Sequence, residues 1–158
     1  MAATKGRIRA ISVSKQKGMQ KVNVPGAELR TDHGIVGDAH AGNWDRQISL
    51  LDIECINIMT AKGASVSPGG FAENITTEGI DLAALKVGDK LRLGEEVEIK
   101  ITQFGKQCHG RCKIYEQIGD CIMPREGVFA RVSRGGSISV GDVIEVITDG
   151  DQSCDINN

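Results

Sequence analysis

The feature that most constrains the fold is a series of short stretches in which apolar and polar residues alternate between glycine-containing turns. The clearest of these stretches are RIRAISVS, QISLLD, EVEIKITQF, GVFARV and VGDVIEVIT. Alternation with a period of two is typical of a β-strand that buries one face. Many short strands, with room for only one or two helices between them, predict a mainly β fold. We expect a closed or partly open β-barrel with a few short helices.

The length of 158 residues indicates one domain with a core that needs no disulfide or metal to hold it together. We expect this single domain to span residues 1–148, followed by a polar, acidic and flexible tail over residues 149–158. Aromatic residues make up only 3% of the chain, so aliphatic side chains must fill the core. The net charge of -2 gives no reason to expect nucleic acid or an anionic membrane surface as a partner.

The cysteine count and the N-terminus together favour a cytoplasmic protein. No run approaches the roughly 20 apolar residues that a membrane-spanning helix needs. The N-terminal residues MAATKGRIRAISV lack the apolar core of a secretory signal. Five cysteines are an odd number, which fits reduced thiols better than a disulfide framework.

Several local patterns predict individual elements. Asp52 suits the N-cap of a helix over IECINIMTAKG, and Gly63 lies just beyond the end of that helix. The stretches KLRLG and EVEIKITQF, separated by a tight turn, predict a β-hairpin. FAENIT predicts a further short strand, GVFARVSRGGSIS a strand, a turn and a strand, and RCKIYEQIG two helical turns.

The stretch from Ile101 to Arg131 differs from the rest because hydrophobic alternation stops at Phe104 and resumes only at Val128. Between these points the chain is rich in glycine, thiols and basic side chains. The residues concerned are Lys106, Cys108, His109, Arg111, Cys112, Lys113, Cys121 and Arg125. A polar segment of this kind between two strands is typical of a functional loop carried by a rigid scaffold.

The thiols of this segment allow a metal site as one interpretation. The pattern C-H-x2-C-x8-C offers soft ligands for zinc or an iron–sulfur cluster. Structural zinc sites use two short ligand pairs, however, and only one such pair is present here. We therefore predict no metal-ligating residues and keep the metal module as an alternative.

A reactive thiolate is the interpretation that we favour for Cys112 and Cys108. Arg111 and Lys113 flank Cys112, which is predicted to open a short helix, and both cations and a helix N-terminus stabilise a thiolate. Cys108 lies in a similarly basic setting. The alternative, a cysteine buried as a small apolar side chain, is the one that we favour for Cys55 in the predicted helix.

The basic residues near these thiols indicate a small anionic ligand, such as a phosphorylated cofactor. Arginine binds phosphate and carboxylate through two parallel hydrogen bonds, whereas lysine contributes a point charge. The candidate residues are Arg46, Lys106, Arg111 and Arg125. For any one of them taken alone, an ordinary solvated surface charge is the safer interpretation.

The stretch GIVGDAHAG places Asp38 and His40 among three glycines, which suggests a loop whose backbone closely approaches another group. It has neither the dinucleotide-binding glycine spacing nor the phosphate-loop pattern. Asp38 and His40 are therefore an acid–base pair, a metal pair or a hydrogen-bonded structural turn. Trp44 is expected to cap the core.

Taken in order, several of these stretches resemble the MOSC domain, found at the C-terminus of molybdenum cofactor sulfurases and as small stand-alone proteins. The stretches are GIVGDAHAG, RQISLLD, GGFAENITTEG, LKVGDKLRLG and RCKIY. The segment GKQCHGRCKIY, continued by GDCIMPREGVFARV, is similar to the stand-alone bacterial subgroup. The resemblance extends from about Arg7 to Thr148.

The resemblance implies a β-barrel and a sulfur carrier that accepts sulfur as a cysteine persulfide for molybdopterin or metal–sulfur maturation. By position in the family pattern Cys112 is the active thiol, with Cys108 as its rival or resolving partner. The resemblance also implies binding of the molybdenum cofactor. Its phosphate is assigned to Arg46, Arg111 and Arg125 with Lys106 nearby, while His40 and Asp38 form the pocket wall.

The resemblance implies particular partners as well. The chain has no pyridoxal-phosphate-binding portion, so it needs a sulfur donor such as a cysteine desulfurase. Molybdenum cofactor biosynthesis proteins or molybdoenzymes are the expected acceptors. Two alternatives remain open at this point, namely a non-covalent cofactor binding or delivery module and a cysteine-ligated metal or iron–sulfur module. Whether the protein turns over a substrate, and whether molybdenum or tungsten is involved, is left open by the sequence.

Overall fold

The computed structural model of the protein describes residues 4–17, 19–63, 66–105 and 127–147. These residues form eleven strands, one α-helix and one 3-10 turn. The elements in chain order are β1 Lys5–Val13, β2 Val22–Val24, β3 Gly26–Arg30, β4 Gly34–Ile35, β5 Ile48–Asp52, α1 Ile53–Ala61, β6 Ile75–Glu78, the 3-10 turn Leu82–Ala84, β7 Lys90–Leu93, β8 Val97–Phe104, β9 Val128–Arg134, β10 Gly136–Ser139 and β11 Val143–Ile147.

Seven of the strands close into a barrel, as the sequence predicted. The pairing runs β11-β7-β8-β9-β5-β6-β1, and β1 pairs in turn with β11, which closes the ring. Strand β2 extends this sheet outside the ring by pairing with β1, and β10, β3 and β4 form a separate three-stranded sheet. Full closure leaves the seven barrel strands without a free edge.

Alternation along the strands fills the barrel with aliphatic side chains. On β8, for example, Val97, Ile99 and Ile101 are buried, whereas Lys100 between them is exposed. Within the described residues, the main core contains side chains from every barrel strand and no aromatic side chain. The scarcity of aromatic residues in the sequence is therefore met by packing branched aliphatic side chains, which suit a pleated surface.

Helix α1 connects β5 to β6, which pair in parallel. A parallel pair needs a crossover connection, and the helix with the chain that follows it provides one. Asp52 occupies the predicted N-cap position but makes no side-chain capping hydrogen bond. The helix ends at Ala61 with Lys62 as its C-cap, and Gly63 follows with a positive φ of 103°. One face of the helix packs in a smaller core with Phe71.

One local prediction needs correction. FAENIT was predicted to be a strand, but β6 begins only at Ile75, and Ala72 has a positive φ of 68°. The Glu73 side chain accepts hydrogen bonds from the backbone N–H groups of Gly69 and Phe71, which holds this stretch as a turn. The strand, turn and strand predicted for GVFARVSRGGSIS are confirmed as β9 and β10, and β10 pairs with β3.

The hairpin of β7 and β8 is confirmed, with Leu93 opposite Val97 across the tight turn. Within the described ranges, no helix has the length and apolar character needed to cross a membrane. The predicted helical turns of RCKIYEQIG and the predicted tail lie outside the described residues.

Candidate functional site

Three of the eight predicted site residues, Asp38, His40 and Arg46, lie in the described part of the chain. They all belong to the connection between β4 and β5. The other five fall outside it, so their predicted roles stay predictions. These residues are Lys106, Cys108, Arg111, Cys112 and Arg125.

The segment that carries the predicted cysteines leaves and re-enters the barrel at adjacent points. The β8–β9 ladder continues to the pair Phe104 and Val128. One step further, the backbone N–H of Gly105 donates to the carbonyl of Gly127 over 2.7 Å. Gly105 and Gly127, which flank residues 106–126 in the chain, therefore lie together at the end of the β8–β9 pair.

Asp38 is the hydrogen-bonding centre of the GIVGDAHAG stretch. Its side chain is completely buried, and its Oδ1 accepts the backbone N–H of Ser14 at 3.0 Å. Its Oδ2 accepts the backbone N–H of His40, also at 3.0 Å. These bonds join the connection that follows β4 to the end of β1. Of the three sequence-based alternatives, this geometry corresponds to the hydrogen-bonded structural turn.

Lys21 is the counterion of Asp38, and sequence reasoning missed it. Its Nζ lies 2.8 Å from Asp38 Oδ1, and both side chains are fully buried. The same Nζ lies 3.0 Å from Ser14 Oγ and 3.1 Å from His40 Nδ1. Nothing in the sequence KQKGMQKVNV separates this lysine from its neighbours, because the burial comes from chain far away in sequence.

This environment keeps Asp38 ionised. Burial by itself would raise the pKa of Asp38, but its contacts with His40 and Lys21 and the charge of Lys21 outweigh this effect. The N–H of Ser14 acts in the same direction. The pKa of Asp38 is consequently held well below its usual range. A carboxylate that is buried, ionised and surrounded by donors is poorly suited to accept a proton from a substrate.

Trp44 lies beside this network and carries two cations on its ring. Lys17 Nζ is 4.3 Å and Arg46 Cζ 4.5 Å from the ring centroid, both within the range of cation–π contacts. The indole N–H donates to the backbone carbonyl of His40 at 2.7 Å, which fixes the ring. Trp44 is half-buried and belongs to neither apolar core, so the expectation that it caps the core is wrong.

The two cations on Trp44 lack an acidic partner. Across the ranges that the structure describes, neither Lys17 nor Arg46 forms an ion pair. The neighbouring carboxylates are engaged elsewhere, because Asp38 pairs with Lys21 and Asp45 lies 3.5 Å from Arg131. We call Lys17, Trp44 and Arg46 the tryptophan–cation cluster. It is a locally positive surface with an aromatic face at its centre.

Strands β8 and β9 anchor the loop that holds this cluster. Thr102 of β8 donates to the backbone carbonyl of Asp45, and Arg131 of β9 donates to the side chain of Asn43. Arg131 also lies 3.4 Å from Asp32, so it organises the loop and is not a free cation. The strands that hold the tryptophan–cation cluster are therefore the same two that lead to Gly105 and Gly127.

A second buried carboxylate, Glu73, lies close to the same region. It accepts hydrogen bonds from Gly69 N–H at 2.8 Å, Phe71 N–H at 3.2 Å and Thr76 Oγ1 at 2.8 Å. The carbonyl of Gly69 in turn accepts the backbone N–H of Lys21 at 2.9 Å. Burial raises the pKa of Glu73, and the hydrogen bonds offset this only in part. Glu73 therefore stabilises the turn that supports the Lys21 backbone.

Comparison with known proteins identifies the family of this chain. The family model described as MOSC domain matches residues 37–145. The fold is similar to that of YuaD from Bacillus subtilis, at 20% identity and a TM-score of 0.74, covering 90% of this chain and 95% of that one. It is also similar to YiiM from Geobacillus stearothermophilus, at 20% identity and a TM-score of 0.70, covering 92% of this chain and 76% of that one.

YiiM from Escherichia coli is similar too, at 21% identity and a TM-score of 0.64, covering 90% of this chain and 70% of that one. At these identities the likeness to solved structures shows the fold alone. A comparison with curated protein sequences returned no match. The family match covers more than half of the chain and includes Asp38, His40, Trp44 and Arg46.

Proposed function

Because this chain belongs to the MOSC domain family, which is associated with molybdenum cofactor-related function, we propose that it is a sulfur carrier in cofactor maturation. In this proposal the protein binds the phosphorylated pterin of the molybdenum cofactor and carries sulfur as a cysteine persulfide. The observation that supports the binding half is the tryptophan–cation cluster.

The cluster has the chemistry that a phosphorylated ring compound requires. Lys17 Nζ lies 4.3 Å and Arg46 Cζ 4.5 Å from the ring centroid of Trp44, so two cations suited to an anionic group lie beside the same aromatic side chain. Arginine offers two parallel N–H donors to phosphate, and the lysine adds a point charge. A flat heterocycle stacked on Trp44 would take the place of one of the two cations over the ring. These residues fit the phosphate and pterin portions of the cofactor, which supplies the molybdenum chemistry when bound.

The sulfur half of the proposal concerns Cys112. Its thiolate attacks the terminal sulfur of a persulfide on the donor protein, such as a cysteine desulfurase. A sulfur–sulfur bond forms on Cys112, and the donor cysteine leaves as a thiolate. The adjacent Arg111 and Lys113 favour the thiolate at Cys112. Cys108 is the proposed resolving thiol, which attacks Cys112, forms a disulfide with it and releases sulfide.

Intact-mass spectrometry tests the sulfur half. The anaerobically purified full chain is incubated with a cysteine desulfurase and cysteine, and Cys112→Ala, Cys108→Ala and Cys55→Ala are treated in parallel. We expect the mass of one added sulfur atom on the wild type and on Cys55→Ala, with the addition lost in Cys112→Ala. Cys55 belongs to α1 and serves as the matched control. Cys108→Ala, which cannot resolve the persulfide, should keep the added sulfur. A wild type that shows neither the added sulfur nor the loss of two hydrogens expected for a Cys108–Cys112 disulfide contradicts the carrier function.

Equilibrium dialysis under anaerobic conditions tests the binding half, with free molybdopterin as the probe. Arg46→Ala is compared with Arg92→Ala, which also removes one arginine but lies on the exposed face of β7, paired with Glu145. We expect about tenfold or greater loss of affinity for Arg46→Ala, since hydrogen bonds to charged groups contribute about 1.5–3 kcal/mol. Equal affinities for the two variants would contradict the proposed phosphate contact.

The second candidate function is a non-covalent cofactor binding or delivery module. The tryptophan–cation cluster favours it equally, because that cluster contains no thiol. The two experiments separate the candidates. A delivery module binds molybdopterin in an Arg46-dependent way but gains no sulfur on any cysteine, whereas the carrier does both.

A further inference from the structure

The buried contact between Lys21 and His40 determines which nitrogen of the histidine ring carries the proton. An ammonium group has three N–H donors and no acceptor. Among the described residues, the Lys21 Nζ lies at hydrogen-bonding distance from Asp38 Oδ1 at 2.8 Å, Ser14 Oγ at 3.0 Å and His40 Nδ1 at 3.1 Å. Because Lys21 can only donate, His40 Nδ1 must present its lone pair.

The remaining protons of this network agree with that assignment. The Ser14 hydroxyl donates to the carbonyl of Gln16 at 3.0 Å, so its oxygen is available to accept from Lys21. A neutral imidazole with a lone pair at Nδ1 carries its proton on Nε2. A neutral His40 is therefore the Nε2–H tautomer, whose Nε2 can donate a hydrogen bond and cannot accept one.

Without Lys21, the nearby carboxylate would favour the opposite arrangement. Asp38 Oδ2 lies 3.8 Å from His40 Nδ1, beyond hydrogen-bonding distance but close enough to attract a proton to that nitrogen. Lys21 opposes this in two ways, because it neutralises Asp38 and places a positive charge against Nδ1. The choice between the two tautomers thus depends on a lysine whose side chain is fully buried.

The orientation of the His40 ring connects this network to the tryptophan–cation cluster. The rings of His40 and Trp44 are parallel within 1°, with centroids 6.3 Å apart. Among the residues that the structure describes, the charged groups near His40 include Lys21 and Asp38 at Nδ1, and Lys17 and Arg46 at the Trp44 ring. The His40 side chain keeps 14% of its surface exposed, so the ring is not sealed within the core.

We propose that Lys21 is a positioning residue that locks His40 as a neutral Nε2–H donor toward the bound anion. In this role His40 is neither a general base nor a ligand for a metal ion through Nδ1. The identity of the anion rests on the function proposed above, whereas the tautomer does not depend on it. The inference adds Lys21 and the protonation state of His40 to a site otherwise described by Arg46 and the thiols.

The tautomer is measured directly by two-bond proton–nitrogen correlation spectra of the uniformly nitrogen-15-labelled full chain at neutral pH. We expect His40 Nδ1 to resonate as an unprotonated nitrogen and Nε2 as a protonated one. His33, in the turn between β3 and β4, gives an internal control in the same spectrum, and His33→Gln and His40→Gln assign the signals. A protonated Nδ1 on His40 in the wild type would overturn the inference.

Two variants separate the locking role of Lys21 from a merely structural one. In Lys21→Met, Asp38 attracts a proton to His40, so the His40 titration midpoint should rise by about one pH unit or more while His33 is unchanged. The double variant Lys21→Met with Asp38→Asn removes both charges, and His40 should then populate both tautomers. If either variant folds and its His40 remains entirely the Nε2–H tautomer, Lys21 does not determine the tautomer.

The donor role is tested with molybdopterin in the same dialysis experiment used above. His40→Gln keeps an N–H donor, whereas His40→Phe keeps a flat ring without one. We expect Gln to retain most of the affinity and Phe to lose about tenfold or more. Equal affinities for the two variants would overturn the donor role. Failure of the wild type to bind molybdopterin would reject the proposed function and the anion contact, while the spectra would still decide the tautomer.

Discussion

Asp38 and Glu73 are both fully buried carboxylates near Lys21, yet their pKa values move in opposite directions. Both accept backbone N–H groups, and both close a turn. The difference is the cation, because Asp38 contacts the Lys21 ammonium, whereas no described residue forms an ion pair with Glu73. Neutral donors offset the desolvation of Glu73 only in part, whereas the hydrogen bonds and the Lys21 charge together outweigh the desolvation of Asp38.

Replacing Lys21, the cation that pairs with Asp38, should have the largest effect on the free energy of unfolding. Lys21→Met leaves the Asp38 carboxylate buried without a counterion, which we expect to lower the free energy of unfolding by about 3–5 kcal/mol. Urea denaturation at neutral pH measures this change. Lys100→Met, on the exposed face of β8, is the matched control and should cost no more than about 0.5 kcal/mol. Similar losses in both variants would show that Lys21 does not neutralise Asp38 in a buried site.

Replacing the second carboxylate by an amide should have a smaller effect. Glu73→Gln directs an NH₂ group at a backbone N–H, because the donors Gly69, Phe71 and Thr76 occupy both carboxylate oxygens. We expect a loss of about 1–3 kcal/mol in the free energy of unfolding. The same urea titration measures it, with the exposed Glu95→Gln as control. A variant as stable as that control would contradict the hydrogen-bonding role of Glu73.

The smallest expected effect concerns the pH dependence of the free energy of unfolding, to which Asp38 and Glu73 contribute with opposite signs. The folded-state pKa of Asp38 is lowered, so its stabilising contribution is present above the unfolded value of about 3.9 and is lost as the pH falls below it. The folded-state pKa of Glu73 is raised, so stability falls as the pH rises from the unfolded value of about 4.3 toward the folded one.

The free energy of unfolding, measured from about pH 3 to about pH 8, should separate these two contributions. Asp38→Asn should flatten the acid limb, and Glu73→Gln should flatten the decline at higher pH. If Glu73→Gln left that decline unchanged, Glu73 would not be a carboxylate with a raised pKa.

Much of the fold could be predicted from the sequence because strand alternation is a local signal. The pattern of β8 and the turn before it locate the β7–β8 hairpin, and Asp52 and Gly63 mark the ends of α1. FAENIT was misassigned because its turn is held by the Glu73 side chain, and this hydrogen bonding outweighs the strand propensity of the stretch. A hydrogen bond between a side chain and the backbone of its own turn produces no periodic pattern of apolar residues in the sequence.

The candidate site was only partly predictable. Arg46 was predicted as an anion-binding residue, and the structure places it on Trp44 without an acidic partner among the described residues. Lys17 and Lys21 were missed because they lie in a stretch of three similar lysines, and only the fold makes one of them solvent-exposed and another buried. Tertiary contacts, and not local sequence, distinguish a ligand-facing cation from a structural one.

The binding of a phosphorylated pterin to the tryptophan–cation cluster is tested most directly by the fluorescence of Trp44, the single tryptophan of the chain. The full chain is titrated with 6-hydroxymethylpterin monophosphate and with the unphosphorylated compound, in the wild type, Lys17→Ala, Arg46→Ala and the control Arg92→Ala. We predict quenching in the wild type and the control, with about tenfold weaker binding in the two cluster variants and for the unphosphorylated compound. Quenching that is equal in all four proteins, or absent from the wild type, would contradict the proposed site.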